Sequence, residues 1–300
     1  MLAAVFASVF LFAACPSQPP PAPDQVEEES PPPPPPPEVP PPPPEPAPIL
    51  PLGIDVRLSP QPFSPDGDGI DDELVIEISV SGTVPVAAWA ILVQEPVFPH
   101  LPFYMRAGTG PVPARMTWNG VGIHGETAQS AMSYPIVITV TNADGEVAVF
   151  EGHVLVDVLV REEGGVLRII VPAIVFGPNA GDFSGVAPEV MANNERVLQR
   201  IAEILQRFGE YSILIEGHAN PVAPPGTALR EEEELGSPRI LGLQPLSEER
   251  AMTVLEHLVG LGVDRQRLFA VGRGGTRVLV AFEDTDYWWQ NRRVEFVLER

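Results

Sequence analysis

The chain contains no lysine: all 18 of its basic residues are arginine. Schiff-base chemistry and the lysine of a phosphate-binding loop are both excluded by that absence. A single cysteine, Cys15, rules out an internal disulfide and any metal site built from several thiolates. Positive charge is scarce, with 18 arginines against 40 acidic residues and a net charge of -22. The imbalance is uneven, because residues 165–300 carry 14 arginines and 19 acids, so most of the surplus negative charge precedes them. Nucleic acid, which requires a basic stripe, is not an expected partner. No apolar run reaches the roughly 20 residues that a membrane-crossing helix needs. The chain shows no G-x-S-x-G, no zinc-ligand set and no catalytic carboxylate motif, which argues against a wall hydrolase and against an enzyme in general.

Proline is in excess. Residues 16–51 hold 20 of the 38 prolines, with Glu28, Glu29, Glu38 and Glu45 among them. Such runs form neither helix nor central strand and extend as polyproline II. At about 3.1 Å per residue the segment reaches on the order of 100 Å. Ahead of it, residues 1–14 are apolar and end in Leu11-Phe12-Ala13-Ala14 before Cys15. The run reads as the hydrophobic region of a secretion signal, with small residues before the cut.

Residues 54–160 alternate strand-like runs with turn signals. Glu73–Val80, Val86–Val93, Ser133–Gly145 and Ala148–Val158 favour β-structure, and Asn142-Ala143-Asp144-Gly145 is a hairpin signal. The pattern predicts a β-sandwich. Its entry, PFSPDGDGIDDEL (residues 62–74), places Asp66, Asp68, Asp71 and Asp72 among glycines. That spacing suits either a structural calcium ion bound by carboxylate oxygens or an Asp-Gly turn whose side chains cap the backbone. No other cofactor is expected.

The remainder alternates strand and helix: strands at 168–176, 211–217, 267–271 and 293–298, and helices at 190–208 and 246–261. In the second helix Ala251, Val254, Leu255, Leu258 and Val259 recur at helical spacing. Ser247 is the expected N-cap, with Glu248 and Glu249 in the first turn. Arg250 is a cation where the helix dipole disfavours one, so it calls for an anionic partner: Glu216, a linker glutamate or a ligand. The order β-α-β-α-β-β predicts an α/β sandwich with its helices on one face, and an α+β chain overall.

Ordered blocks across residues 166–300 resemble the OmpA-like peptidoglycan-binding domain family. The blocks are Gly217-His218, Leu246-Ser247 with Arg250-Ala251 and Val254, Gly262-Val263 with Arg267-Leu268, Gly272 with Gly274, and Asn291 to Glu295. The resemblance implies a site that holds the diamino acid of a peptidoglycan stem peptide, an Asp taking its ammonium and an Arg its carboxylate. It places that site at Ala219, Asn220, Arg250, Arg292 and Arg293, with His218 structural rather than catalytic. Asn220 stands where the family carries Asp. Residues 221–245, with acids Glu231 to Glu234, stand where the family has a short turn, and that acidic loop is expected either to supply the missing charge or to be solvated. The entry segment of residues 62–74, with Trp118-Asn119-Gly120, Gly125 and Tyr134, resembles FlgD-like immunoglobulin-type domains. The 11–15 segment is similar to a lipobox, which implies lipidation of Cys15.

The expected organisation is a signal peptide at 1–14, a lipidation site and linker at 15–51, an Ig-like β-domain at 52–162 and an OmpA-like domain at 163–300. The expected function is a lipoprotein anchored in the outer membrane on its periplasmic side, tethering that membrane to the wall. The alternative is an envelope scaffold whose partners are proteins.

Overall fold

The computed structural model describes residues 48–300, apart from Pro238 and Arg239; the expected signal peptide, Cys15 and most of the proline-rich spacer lie outside the described residues. Among the described residues, no helix is long and apolar enough to cross a membrane.

Two antiparallel sheets share the first core. One joins β1 (Gly53–Ser59), β2 (Leu74–Ser81) and β5 (Arg115–Trp118) in the order β1-β2-β5. The other joins β3 (Val86–Gln94), β4 (Pro102–Thr109), β6 (Ser133–Asn142) and β7 (Val147–Leu155) in the order β4-β3-β6-β7. Strand alternation sets which side chains meet. Tyr134, Ile136, Ile138 and Val140 of β6 lie beside Ile91 and Val93 of the neighbouring β3 and share one buried cluster with Leu74 and Ile76 of β2. Trp118 and Tyr134 join Phe103 in it, with the Phe103 and Tyr134 ring centres 4.8 Å apart. Asn142 closes the β6–β7 hairpin, its Oδ1 accepting from the N–H groups of Asp144 and Glu146 at 3.1 and 2.9 Å.

The second core lies under a mixed five-stranded sheet. Its strands are β8 (Arg161–Glu163), β9 (Val166–Val171), β10 (Ser212–Gly217), β13 (Leu268–Gly272) and β14 (Val294–Glu299), ordered β13-β10-β14-β9-β8. Only the β10–β13 pair among them is parallel. Helices α1 (Pro188–Arg207) and α3 (Leu243–Gly260) bury Val197, Ile201, Leu205, Val254 and Leu258 against Ile169, Ile213, Ile215 and Phe296 on one sheet face. Residues 221–242 add a short helix α2 (Ala228–Leu235) and a two-residue hairpin, β11 (Gly236–Ser237) with β12 (Ile240–Leu241).

Three expectations change. The first strand of this sheet stops at Val171 instead of running to 176. Pro172 follows it directly and has no N–H to continue the ladder. Helix α3 starts at Leu243, capped by Gly242, so Pro245 belongs to its first turn, where a missing N–H costs nothing, and the inserted segment ends earlier than 245. Ser247 is not the N-cap. It is buried one turn inside the helix, where its Oγ donates to the Gln244 carbonyl and accepts from the Gly274 N–H, each at 2.8 Å. Gly217 and Gly272 make this packing possible, since a Cβ at either would lie 2.0 or 2.5 Å from a backbone oxygen of α3.

The two cores are fastened together. Arg200 of α1 makes a bidentate pair with Asp157, just beyond β7, at 2.9 and 2.6 Å. Arg161 of β8 reaches back to Thr127 Oγ1 and the Ala128 carbonyl at 2.9 and 3.1 Å.

Candidate functional site

The sheet face away from the helices is buried and ionic. Glu216 of β10 and Glu295 of β14 lie directly opposite one another, an arrangement that repels unless cations intervene. Here they do. Glu216 binds Arg273 and, at 3.4 Å, Arg277; Glu295 binds Arg168 at 3.0 Å and the Nε of Arg293 at 2.7 Å. His218 lies between the carboxylates, 3.5 Å from Glu295 and 3.9 Å from Glu216. Burial, then the guanidiniums of Arg293, Arg277, Arg273 and Arg168, push its pKa down to about 3. The imidazole is therefore neutral at physiological pH and these contacts are not ion pairs. Neither ring nitrogen has a hydrogen-bond partner among the described residues. Glu216, His218 and Glu295 are close enough together to hold a metal ion. Four guanidiniums around them already neutralise both carboxylates, which opposes a cation there.

Next to this face a cavity of about 580 Å³ opens between the two cores. Arg250, Arg292 and Arg293 all line it, as do His218, Phe176 and Trp289. Arg250 projects from the second turn of α3. Its guanidinium lies 5.1 Å over the Phe176 ring, and its Nε donates to the Ala180 carbonyl at 3.1 Å. Phe176 is itself stacked on Phe183, centre to centre 5.2 Å. Thr253 adds a 2.8 Å bond to the Gly181 carbonyl, so residues 176–183 are fixed against α3 and hold the arginine in place. Burial and then the neighbouring Arg292 charge lower the Arg250 pKa. The expected pairing of Arg250 with Glu216 does not occur, because Glu216 is on the ionic face with Arg273 and Arg277. Among the described residues neither Arg250 nor Arg292 makes an ion pair, whereas Arg168, Arg200, Arg273, Arg277 and Arg293 all do. Arg292 is exposed at the rim; Arg293 is spent internally on Glu295 and the Arg277 carbonyl.

Ala219 and Asn220 do not join them. Ala219 is buried, its N–H bonded to the Gly274 carbonyl at 2.8 Å. The Asn220 side chain is engaged at both ends: Oδ1 accepts from Asn291 Nδ2 at 2.9 Å and Nδ2 donates to the Pro221 carbonyl at 3.1 Å. Neither residue lines the cavity. Asn291 also accepts from the N–H groups of Leu279 and Val280, which ties the 278–281 loop to the end of β10.

The inserted acids do not supply charge to Arg250 either. Glu233 accepts from the N–H groups of Val222 and Ala223, both at 2.9 Å, and Glu234 accepts from that of Gly275. Glu231 and Glu232 are exposed. No described residue of 221–242 lines the cavity.

The aspartates of residues 66–72 divide. Asp66, Asp68 and Asp72 converge, while Asp71 is not in the group and turns its backbone to φ 57°. Asp72 caps the N–H groups of Gly67 and Gly69 at 2.7 Å each, and Asp68 that of Ile70 at 2.7 Å. Burial and then Asp68 raise the Asp66 pKa. The carboxylates cap the turn, and Asp66, Asp68 and Asp72 are also close enough together to hold a cation.

Trp289, Phe176, Met132 and Val97 complete the cavity and were not anticipated from sequence. The one available signal was the rarity of tryptophan, four in the chain, two of them adjacent at 288 and 289.

Residues 186–286 match the family model of the OmpA family. Over 126 residues the chain is 30% identical to the peptidoglycan-associated lipoprotein of Agrobacterium fabrum, covering 41% of this chain and 63% of that protein. The corresponding protein of Brucella melitensis is 31% identical over 126 residues, covering 41% of this chain and 66% of its own. The chain thus spans less than two thirds of the length of these relatives. A solved MotB-like protein from Desulfovibrio vulgaris is 30% identical, covering 47% of this chain and 77% of its own, with a TM-score of 0.37.

Proposed function

With residues 186–286 an OmpA-family domain, we propose that the chain is a non-enzymatic envelope lipoprotein that ties the outer membrane to the cell wall by binding the peptidoglycan stem peptide. The observation that carries this reading is the unpaired Arg250 beside an open cavity. A planar guanidinium held over an aromatic ring, with one nitrogen anchored and the rest of its fork free, is matched to a carboxylate. The relatives are described as peptidoglycan-associated lipoproteins, which supports a wall ligand. Cys15 carries the lipid on the periplasmic side, and the proline-rich spacer separates the membrane from the binding domain. The two sheets of the first core form an immunoglobulin-type sandwich in this reading.

The test uses the full chain with Cys15→Ser, which keeps it in solution, mixed with purified sacculi and sedimented. The parent chain pellets with the wall and Arg250→Gln stays in the supernatant. A parent chain that stays in solution at every ionic strength defeats the proposal. One observation favours the scaffold reading as second: α2 and its neighbours leave Val222, Leu229 and Leu241 exposed around a groove. Under that reading deletion of residues 222–241 abolishes capture of an envelope protein and leaves sedimentation with sacculi unchanged.

A further inference from the structure

Helix α2 is fastened to its surroundings by charged side chains and not by burial. Arg230 donates to the carbonyls of Ala223 and Gly275 at 3.1 and 2.6 Å. Glu233 accepts from the N–H groups of Val222 and Ala223, and Glu234 from that of Gly275, each at 2.9 Å. Bonds of this kind, with one partner ionised, oppose the entropy lost in ordering the segment. None of the residues of α2 is buried. Its leucines are therefore left out of the core: Leu229 is 65% exposed.

Leu229 borders a groove of about 880 Å³ together with Val222, Leu241 and, from α3, Leu243 and Leu246. Exposed apolar surface with a polar rim is the composition of a docking site. Three of these five side chains belong to helices, which offer ridges and no free backbone edge, so the fitting occupant is a helix and not an added strand. The rim is acidic: Glu232 lines the groove, Glu231 precedes it on α2, and both are exposed. Among the described lining residues there is no cation. That charge selects the occupant. Residues 16–47 of the chain itself hold six acids and no base, so the rim repels them, and a second copy brings a net charge of -22.

We infer that the groove docks a different protein through an amphipathic helix whose apolar face is bordered by lysine or arginine. The apolar face lies on Val222, Leu229 and Leu241, and the flanking cations meet Glu231 and Glu232. This gives the scaffold reading a partner of defined chemistry. It does not depend on wall binding, because the groove and the cavity at Arg250 have no lining residue in common. The two are nevertheless neighbours: Asn179 lines the groove, and the next carbonyl, that of Ala180, accepts from Arg250.

The experiment titrates the full chain with Cys15→Ser into two labelled synthetic peptides. Both carry leucines at i, i+3, i+4 and i+7; one has lysine and the other glutamate at the remaining positions. Fluorescence anisotropy is read at about 0.15 M salt, where long-range attraction to an acidic chain is screened. The lysine peptide binds, and the glutamate peptide binds about tenfold more weakly or less. Leu229→Asn weakens the lysine peptide by about tenfold and leaves sedimentation with sacculi unchanged. Because Leu229 is largely exposed, the melting temperature of this variant stays within about 4 °C of the parent. Glu231→Gln with Glu232→Gln weakens the lysine peptide by about threefold. Asp144→Asn with Glu151→Gln, which neutralises two exposed acids of the first core, does not. Failure of the lysine peptide to bind, equal binding of the two peptides, undiminished binding by Leu229→Asn, or an equal loss on neutralising either pair of acids overturns the inference. A chain that is dimeric, and monomeric with Leu229→Asn, gives the groove to a second copy and overturns it as well. A chain that binds the lysine peptide and ignores sacculi keeps this inference and loses the wall-binding proposal.

Discussion

Arg293 and Arg250 both line the same cavity, and their surroundings differ in the single respect that matters. Arg293 is 4% exposed and its guanidinium is matched by Glu295, itself 5% exposed, and by a backbone carbonyl. Arg250 is half-buried, desolvated enough to lower its pKa, and is matched by an aromatic face and one carbonyl, with no carboxylate. A charge taken out of water without a counter-ion is costly. The chain meets that cost internally on the ionic face and leaves it unmet in the cavity. In the proposed reading Arg293 serves the structure and Arg250 serves the ligand. The lack of a carboxylate is not enough by itself, since Arg161 also has no ion pair and is held by Thr127 and the Ala128 carbonyl; Arg250 differs in lining the cavity.

The largest effect comes from breaking the paired side. Glu295→Ala leaves Arg168 and Arg293 facing Glu216 alone, with a buried guanidinium short of its partner. Urea unfolding shows a loss of about 3–5 kcal/mol. Arg250→Gln is the counterpart. It removes a cation that has no carboxylate partner but holds the Ala180 carbonyl and the Phe176 ring, so stability falls by about 1–2 kcal/mol while sedimentation with sacculi falls at least tenfold. If Arg250→Gln unfolds the chain as readily as Glu295→Ala does, the distinction between the two arginines fails.

A buried acid sharpens the comparison from the other sign. Glu95 is 3% exposed, next to the Pro96–Val97 wall, and its pKa is raised to about 7 by burial and then by Glu126. Its ordinary value is 4.5. Between those two values the unfolded chain has released a proton that the folded chain still holds, so stability falls as pH rises through this window and levels off above it. Glu95→Gln removes that loss. At pH 8 the variant is more stable than the parent by on the order of 2 kcal/mol, and near pH 4 the two are alike, as thermal melts across pH will show.

The smallest effect belongs to Asn220→Asp. An aspartate there still accepts from Asn291 and still lies outside the cavity lining, so binding of sacculi changes by less than about threefold, under 1 kcal/mol. A tenfold gain would return the residue to the site and move the ligand toward the end of β10.

The second core was legible because its elements carry long, regular periods. Val197, Ile201 and Leu205 repeat on α1, and Val294, Phe296 and Leu298 alternate along β14. Strands β1, β4 and β5 were not read. β4 buries only Phe103 and has little alternation to display, and β5 is four residues long. Ser247 misled because a serine before two glutamates obeys the local rule for a helix start, whereas its hydroxyl serves a tertiary contact with Gly274. Arg250 and Arg292, which both line the cavity, could be put forward as candidates from the family resemblance. Val97, Met132 and Trp289 could not, since they come from three segments that meet only when the two cores pack. The family resemblance placed Asn220 at the site by position; in the fold its side chain is held by Asn291 and the Pro221 carbonyl.

The central claim is that donors without a protein partner belong to the ligand. The direct measurement is a nitrogen-15 NMR titration of the full chain, Cys15→Ser, with soluble wall fragments, following the side-chain N–H signals of Trp289, Arg250 and Arg293. The account predicts that Trp289 Nε1–H, which has no acceptor among the described residues, and the Arg250 Nη–H groups shift with saturation while Arg293 Nε–H does not move. Shifts at Arg293 with none at Trp289 and Arg250 would contradict it.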